Sequence, residues 1–227
     1  MRLTFLHHTP NARFTAPCEQ CPAVDPAWND PEGVPISAII FGGRRANTVP
    51  LVYQSLSWNH GVLLGTMTSS EMTAAADGGQ GQLRHDPFAM LPFCGYNMAD
   101  YFKHWIDMGA KTKEELLPKI FFVNWFQRDH QGKFIWPGFG ENSRVLDWIF
   151  QRSDSQGSTI ESPIGILPGK DALNMSGLNL SSAIKEQLFH IDRKDWDKEL
   201  QSIEEYLAQF GQKVPEALRK ELQDLKN

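Results

Sequence analysis

The stretch Asn124–Arg144, NWFQRDHQGKFIWPGFGENSR, limits the rest of the chain more than any other segment. Trp125, Phe126, Phe134, Trp136 and Phe139 are interleaved there with Gly132, Pro137, Gly138 and Gly140. Glycine and proline interrupt periodic backbone, so several of these rings sit on a bent loop and not along one face of a helix or strand. A hydrophobic run, Ile120–Phe126, leads into the loop as a strand. Ser143 then stands where it can cap a helix with Val145, Leu146, Ile149 and Phe150 facing inward. Rings held apart on such a loop can grip a flat ligand, because stacking on an aromatic face is worth roughly 1–3 kcal/mol per base. Glycines let backbone approach that ligand closely, and the Asn142 carboxamide carries donors and an acceptor suited to a purine edge. The competing reading is an aromatic-rich loop packed as ordinary core.

Composition narrows the classes. The chain has 227 residues, enough for one sizeable core, with 41% apolar and 22% charged residues, an ordinary globular mixture. A net charge of −5 gives no electrostatic reason to expect nucleic acid. No apolar run long enough to span a membrane occurs, and MRLTFLHHTP has too short an apolar stretch for a secretory signal. Three cysteines, an odd number, suit a reducing compartment. Cys18 and Cys21 form a CxxC pair without a second pair to complete a zinc site, so free thiols are expected.

Along the chain, Ile36–Phe41 reads as a buried strand, ending in Gly42-Gly43-Arg44-Arg45. Arginines at a strand's carboxyl end lie where α/β folds bind ligands. Val49–Gln54 looks strand-like; the following segment through Val62–Leu64 is compatible with helix or strand. Ser69–Gln82 is small, polar and Gly-rich, the composition of a loop without an anchored conformation. Asn97–Met108 places Met98, Tyr101, Phe102, Trp105 and Ile106 at helical spacing, leaving His104 on the surface. Pro163–Pro168 is a short strand or turn. Asp192 begins a helix striped by Trp196, Leu200, Ile203, Leu207 and Phe210, and Pro215 occupies the first turn of a last helix with Leu218, Leu222 and Leu225 on one side.

Several long motifs together resemble one family. WPGFGENSR following VNWF, with EGVPISAIIFGGRR (Glu32–Arg45), VPLVYQSLSWNHGV (Val49–Val62), HDPFAM (His85–Met90) and FCGYN (Phe93–Asn97), is similar to GTP-dependent phosphoenolpyruvate carboxykinase. The likeness runs in order from about Asn11 to the C-terminal helices and matches only the C-terminal part of that family's chain. It implies an α/β fold: the mixed sheet of the family's nucleotide-binding domain, truncated, with C-terminal helices. Residues 1–10 are then an unassigned leader. Residues 11–170 form a partial nucleotide- and substrate-binding domain with a lid at 69–82, and 171–227 its helical remainder.

The resemblance also implies roles. Asn11, Ala12 and Arg13 fall on a substrate-binding Asn-Ser-Arg-Phe motif, with Ala12 replacing the serine. Arg13 and Arg44 would act in catalysis, both touching nucleotide phosphates. Phe126, Phe134 and Phe139 would enclose guanine, and Gly140, Glu141 and Asn142 complete the turn at its edge. The implied reaction converts oxaloacetate and GTP into phosphoenolpyruvate, GDP and CO2, with Mn2+ and Mg2+ as cofactors and no membrane or nucleic-acid partner. A monomer in the cytoplasm is implied, with the mitochondrion as the alternative compartment. The family's phosphate loop, reactive cysteine and metal ligands lie upstream of the matched part, and no GxxxxGK[ST] occurs in this sequence. The chain alone is therefore expected to be catalytically silent, with no metal ligands of its own. The alternative is a non-catalytic guanine-nucleotide-binding or interaction module.

Overall fold

The computed structural model describes residues 16–72 and 82–227. Its centre is a five-stranded mixed sheet built from β1 (Ala38–Gly42), β2 (Val52–Gln54), β5 (Lys119–Val123), β6 (Thr159–Ser162) and β7 (Gly165–Pro168), in the order β1-β5-β2-β7-β6. Only β1 and β5 run parallel, in a register that sets Gly42 opposite Val123; the other pairings are antiparallel. A separate hairpin joins β3 (Ser69–Glu71) to β4 (Leu83–His85). Helices α1 (Trp58–Thr66), α2 (Met98–Gly109), α3 (Asn142–Ser153), α4 (Ser182–Gln187), α5 (Arg193–Ala208) and α6 (Glu216–Lys226) cover the sheet.

The continuous apolar sequence of β5 follows from burial on both faces. Phe122, with Tyr53 of β2, packs into a core with α1, α2, α5 and α6. Phe121 and Val123 face the opposite way, into a second core with Val145, Trp148 and Ile149 of α3. At α5, Asp192 accepts a hydrogen bond from the Asp195 amide and caps the helix, while Trp196, Leu200, Ile203 and Leu207 are buried. The α2 stripe faces the same core and His104 is exposed, both as the spacing predicts.

Four local expectations need correction. The run at β1 is an edge strand and not a buried one: it pairs with β5 alone in the sheet, and Ile40 is 41% exposed. Ser143 does not cap α3. The helix starts at Asn142, Glu141 occupies the cap position, and the Ser143 hydroxyl donates to the Gly140 carbonyl. The inward face of α3 carries Val145, Trp148 and Ile149, whereas Leu146 and Phe150, expected there, are 38% and 74% exposed. Pro215 is the residue before α6 rather than within it. The segment left open as helix or strand is α1, capped by Ser57, whose side chain accepts from the His60 amide.

Candidate functional site

Because β1 and β5 are parallel and in register, their carboxyl ends open at the same edge of the sheet, the place where α/β sheets hold ligands. Asn124, fully buried just past β5, joins the two ends. Its amide nitrogen donates to the carbonyls of Arg45 and Val49, at 3.0 and 2.9 Å. Its oxygen accepts from the Arg45 and Phe126 amides. Gly43 then lets the arginine turn lie against β3, where a Cβ would come within 2.2 Å of the Ser69 carbonyl oxygen. The Arg44 amide donates to Ser70 Oγ at 2.9 Å, and its guanidinium donates through Nε and Nη2 to the Glu71 carbonyl at 3.0 and 2.9 Å. Nη1 of Arg44 has no hydrogen-bond partner among the described residues.

Arg45 points the other way, into the core. It forms a fork with Glu199 of α5 and donates to Ser69 Oγ. Burial holds the neighbouring Tyr53 hydroxyl well above its usual range, with Glu199 adding to the effect and Arg45 opposing it. Burial likewise lowers His85, so both neighbours are neutral near pH 7.

Arg44 lines a cleft of about 590 Å³ whose walls include Ser70, Arg84, Asp86, Trp125 and Phe126. Phe126 also meets Phe134, ring centroids 5.9 Å apart and edge to face. Phe134 sits at the foot of a short hairpin paired with Arg128, whose guanidinium lies 4.4 Å from the ring centroid. That cation lies over a ring that is 46% exposed. Phe139 follows Gly138 with φ +51°, a left-handed conformation that costs a non-glycine residue roughly 1 kcal/mol or more. Its ring is 96% exposed.

Trp136 and Ile135 of the same loop are buried core. Asn142 Oδ1 accepts from Trp136 Nε1 at 2.8 Å. An indole nitrogen only donates, so this bond fixes the carboxamide with its NH2 as the group left over. Glu141 is held by Arg144, and Gly140 is exposed at the turn. Of the sequence-predicted residues, Arg44 and Phe126 line one cleft and Phe134 meets Phe126, while the Phe139–Asn142 turn is tied to Trp136 through Asn142; Asn11, Ala12 and Arg13 lie outside the described residues, as does most of the 69–82 segment. Residues Ser69–Glu71 of that segment are strand β3. Sequence reading missed Asn124 and Arg128, and it named Trp125 as a loop ring without assigning it to the site; the Arg128–Phe134 spacing around the Asp129–Gly132 turn was the available signal for the cation over the ring.

Among the described residues no three His, Cys, Asp or Glu side chains converge, so no donor set here fits a Mn2+ or Mg2+ ion. Cys18 and Cys21 are free and exposed. None of the described helices is long and apolar enough to cross a membrane.

Residues 4–227 match the family model described as phosphoenolpyruvate carboxykinase C-terminal P-loop domain. The chain is similar to the phosphoenolpyruvate carboxykinase [GTP] of Chlamydia abortus, 55% identical over 219 residues, covering 96% of this chain and 36% of that protein. The Chlamydia caviae protein of the same name is 56% identical over 214 residues, 94% of this chain and 36% of its own. The one from Treponema pallidum is 55% identical over 218 residues, 95% and 35% respectively. The chain therefore spans little more than a third of the length of these relatives.

Proposed function

The chain belongs to the GTP-dependent phosphoenolpyruvate carboxykinase family, and from that premise we propose that it supplies the guanine pocket and part of the phosphate site for the conversion of oxaloacetate and GTP into phosphoenolpyruvate, GDP and CO2. Arg44 takes phosphate oxygens with its unengaged Nη1, a charge-assisted contact suited to a transferring phosphoryl group. Phe134 and Phe139 stack on the base, Phe126 closes the pocket, and the Gly140–Asn142 turn meets the base edge. Asn11, Ala12 and Arg13 serve the oxaloacetate side.

One observation carries this reading: Phe126 belongs both to the wall of the arginine cleft and to the aromatic pair with Phe134. A ligand that spans the two must have a flat ring at one end and an anionic group at the other, which describes a nucleotide. Phosphoryl transfer itself depends on metal charge and on positioning. The sequence has no GxxxxGK[ST] loop and the described residues have no metal donor set. This chain by itself accordingly binds guanine nucleotide without turning it over.

Calorimetric titration with GDP and with ADP tests the proposal. GDP should bind about tenfold tighter or better, because adenine leaves site donors unmet. Equal affinity for the two would remove the guanine assignment. Formation of phosphoenolpyruvate from oxaloacetate, GTP and Mn2+ by this chain alone would remove the claim that it is silent.

A further inference from the structure

We propose that Arg84 is a second anion-binding arm of the cleft, taking the diphosphate of the nucleotide together with Arg44. This rests on the nucleotide reading above and adds a residue to it.

The placement follows from the hairpin. Ser70 of β3 and Arg84 of β4 are directly paired across it, and Ser70 Oγ is the atom that accepts the Arg44 amide. Both arginines therefore line the cleft beside Ser70, Arg84 as its cross-strand partner and Arg44 through its backbone amide. Arg84 is not a loose surface side chain. Its Nη2 donates to Asp86 Oδ2 at 2.9 Å, and Asp86 is buried with its other oxygen accepting from the Leu91 amide. A single carboxylate oxygen restrains the fork and leaves its other donors without partners among the described residues. The side chain is 45% exposed, so those donors remain reachable.

Charge points the same way. The charged groups lining the cleft are Arg44, Arg84 and Asp86, a local balance of +1 in a chain whose net charge is −5. Trp125, Phe126, Pro92 and Phe93 are among the apolar residues of the wall. Two guanidinium groups facing one cavity, with a single carboxylate between them, favour a multiply charged anion over a neutral ligand.

Inorganic pyrophosphate, titrated calorimetrically into the whole 227-residue chain at low ionic strength, is the probe. Arg84→Gln should weaken binding by about tenfold, the loss of one charge-assisted contact, and Arg84→Lys should restore part of it. Lys103→Gln, the same charge change on the exposed face of α2, should leave binding within twofold. Glutamine can still donate to Asp86, which also keeps its bond from the Leu91 amide, so the Arg84→Gln melting temperature should stay close to that of the unaltered chain. No pyrophosphate binding to the unaltered chain, or binding unchanged by Arg84→Gln, overturns the inference. Pyrophosphate binding that depends on Arg84 while GDP and ADP bind alike upholds the inference and overturns the guanine reading. A GDP preference that is indifferent to Arg84 does the reverse.

Discussion

Arg45 and Glu199, 154 residues apart, meet in a buried fork with nitrogen–oxygen distances of 2.7 and 2.6 Å. The fork ties helix α5 to the turn that carries Arg44, and Ser69 of β3 shares in it through Arg45 Nη1. Removing one member of a buried pair strands the other charge, at a cost of about 3–5 kcal/mol, whereas replacing both with apolar groups of similar volume is often neutral. Glu199→Leu should lower unfolding free energy by about 3 kcal/mol, and adding Arg45→Met should recover most of that loss. Urea denaturation of the single and double variants measures both; a single variant within about 1 kcal/mol of the unaltered chain would show that water reaches the pair.

Gly43 reports on the same turn from its other side. Its backbone is not in the left-handed region, so conformational freedom is not the reason for glycine here. Space is: a Cβ would sit 2.2 Å from the Ser69 carbonyl oxygen, a backbone atom that cannot step aside. Gly43→Ala should cost about 1–3 kcal/mol of stability. It should also separate the turn from β3, and with it the Arg44 bonds to Ser70 and Glu71. Thermal unfolding together with a GDP titration checks this, and affinity should fall along with stability.

Periodic elements were readable from sequence because their signal is local. The stripe of α5 and its Asp192 cap emerge from spacing alone, as does the inward face of α2. Burial of β1 was misjudged because ISAIIF looks the same whether a strand has one neighbour or two, and only the sheet order decides. For α3 the cap was placed two residues late, and the inward face was assigned to Leu146 and Phe150 where Trp148 packs instead. The aromatic loop shows the limit most clearly. Trp136 and Phe139 are both rings beside glycine and proline, yet one is 2% and the other 96% exposed. Long-range partners decide between them: Trp136 is buried in the second core and bonded to Asn142, while the positive φ at Phe139 turns its ring away. Asn124 and Glu199, which assemble the arginine turn, take their partners from 75 to 154 residues away, beyond any local pattern.

A pH effect on stability is expected from His60. Its Nδ1 accepts the Leu56 amide at 3.0 Å, while Nε2 is buried without a partner among the described residues. Burial pushes its pKa down to about 4 from the usual 6.5. The unfolded chain thus takes up a proton below pH 6.5 that the folded chain refuses until about pH 4. Stability is fully present above 6.5 and drains away as pH falls toward 4, by about 3 kcal/mol in all. His85, lowered by burial, contributes in the same direction. Chemical denaturation between pH 7 and 4 should show the loss, and His60→Gln should flatten most of it; an unaltered slope would exclude His60 as its source.

The edge position of β1 makes solubility a testable property. Ile40 is 41% exposed on a strand whose outer side pairs with nothing among the described residues, and such edges recruit other chains. A lysine there is a common natural guard against this. Ile40→Lys should reduce concentration-dependent light scattering with little change in unfolding free energy. Scattering that is insensitive to the substitution would move the aggregation surface elsewhere.

Base preference should reside in the Asn142 NH2. The Trp136 indole already holds Oδ1, so substitution by alanine would mix two effects, the loss of a contact to the base and a buried indole N–H left unpaired. Asn142→Asp separates them. A carboxylate still accepts from Trp136 Nε1 but presents an oxygen where the amide presented a donor. Guanine offers a carbonyl acceptor at its six position and adenine an amino donor, so the change should weaken GDP binding and spare or improve ADP binding. A ratio of affinities shifted toward ADP by about tenfold is expected from the lost bond together with the added repulsion. Competition titrations of GDP against ADP read this ratio directly. An equal loss for both nucleotides would mean that Asn142 only holds the loop together and that base choice is made by some other group.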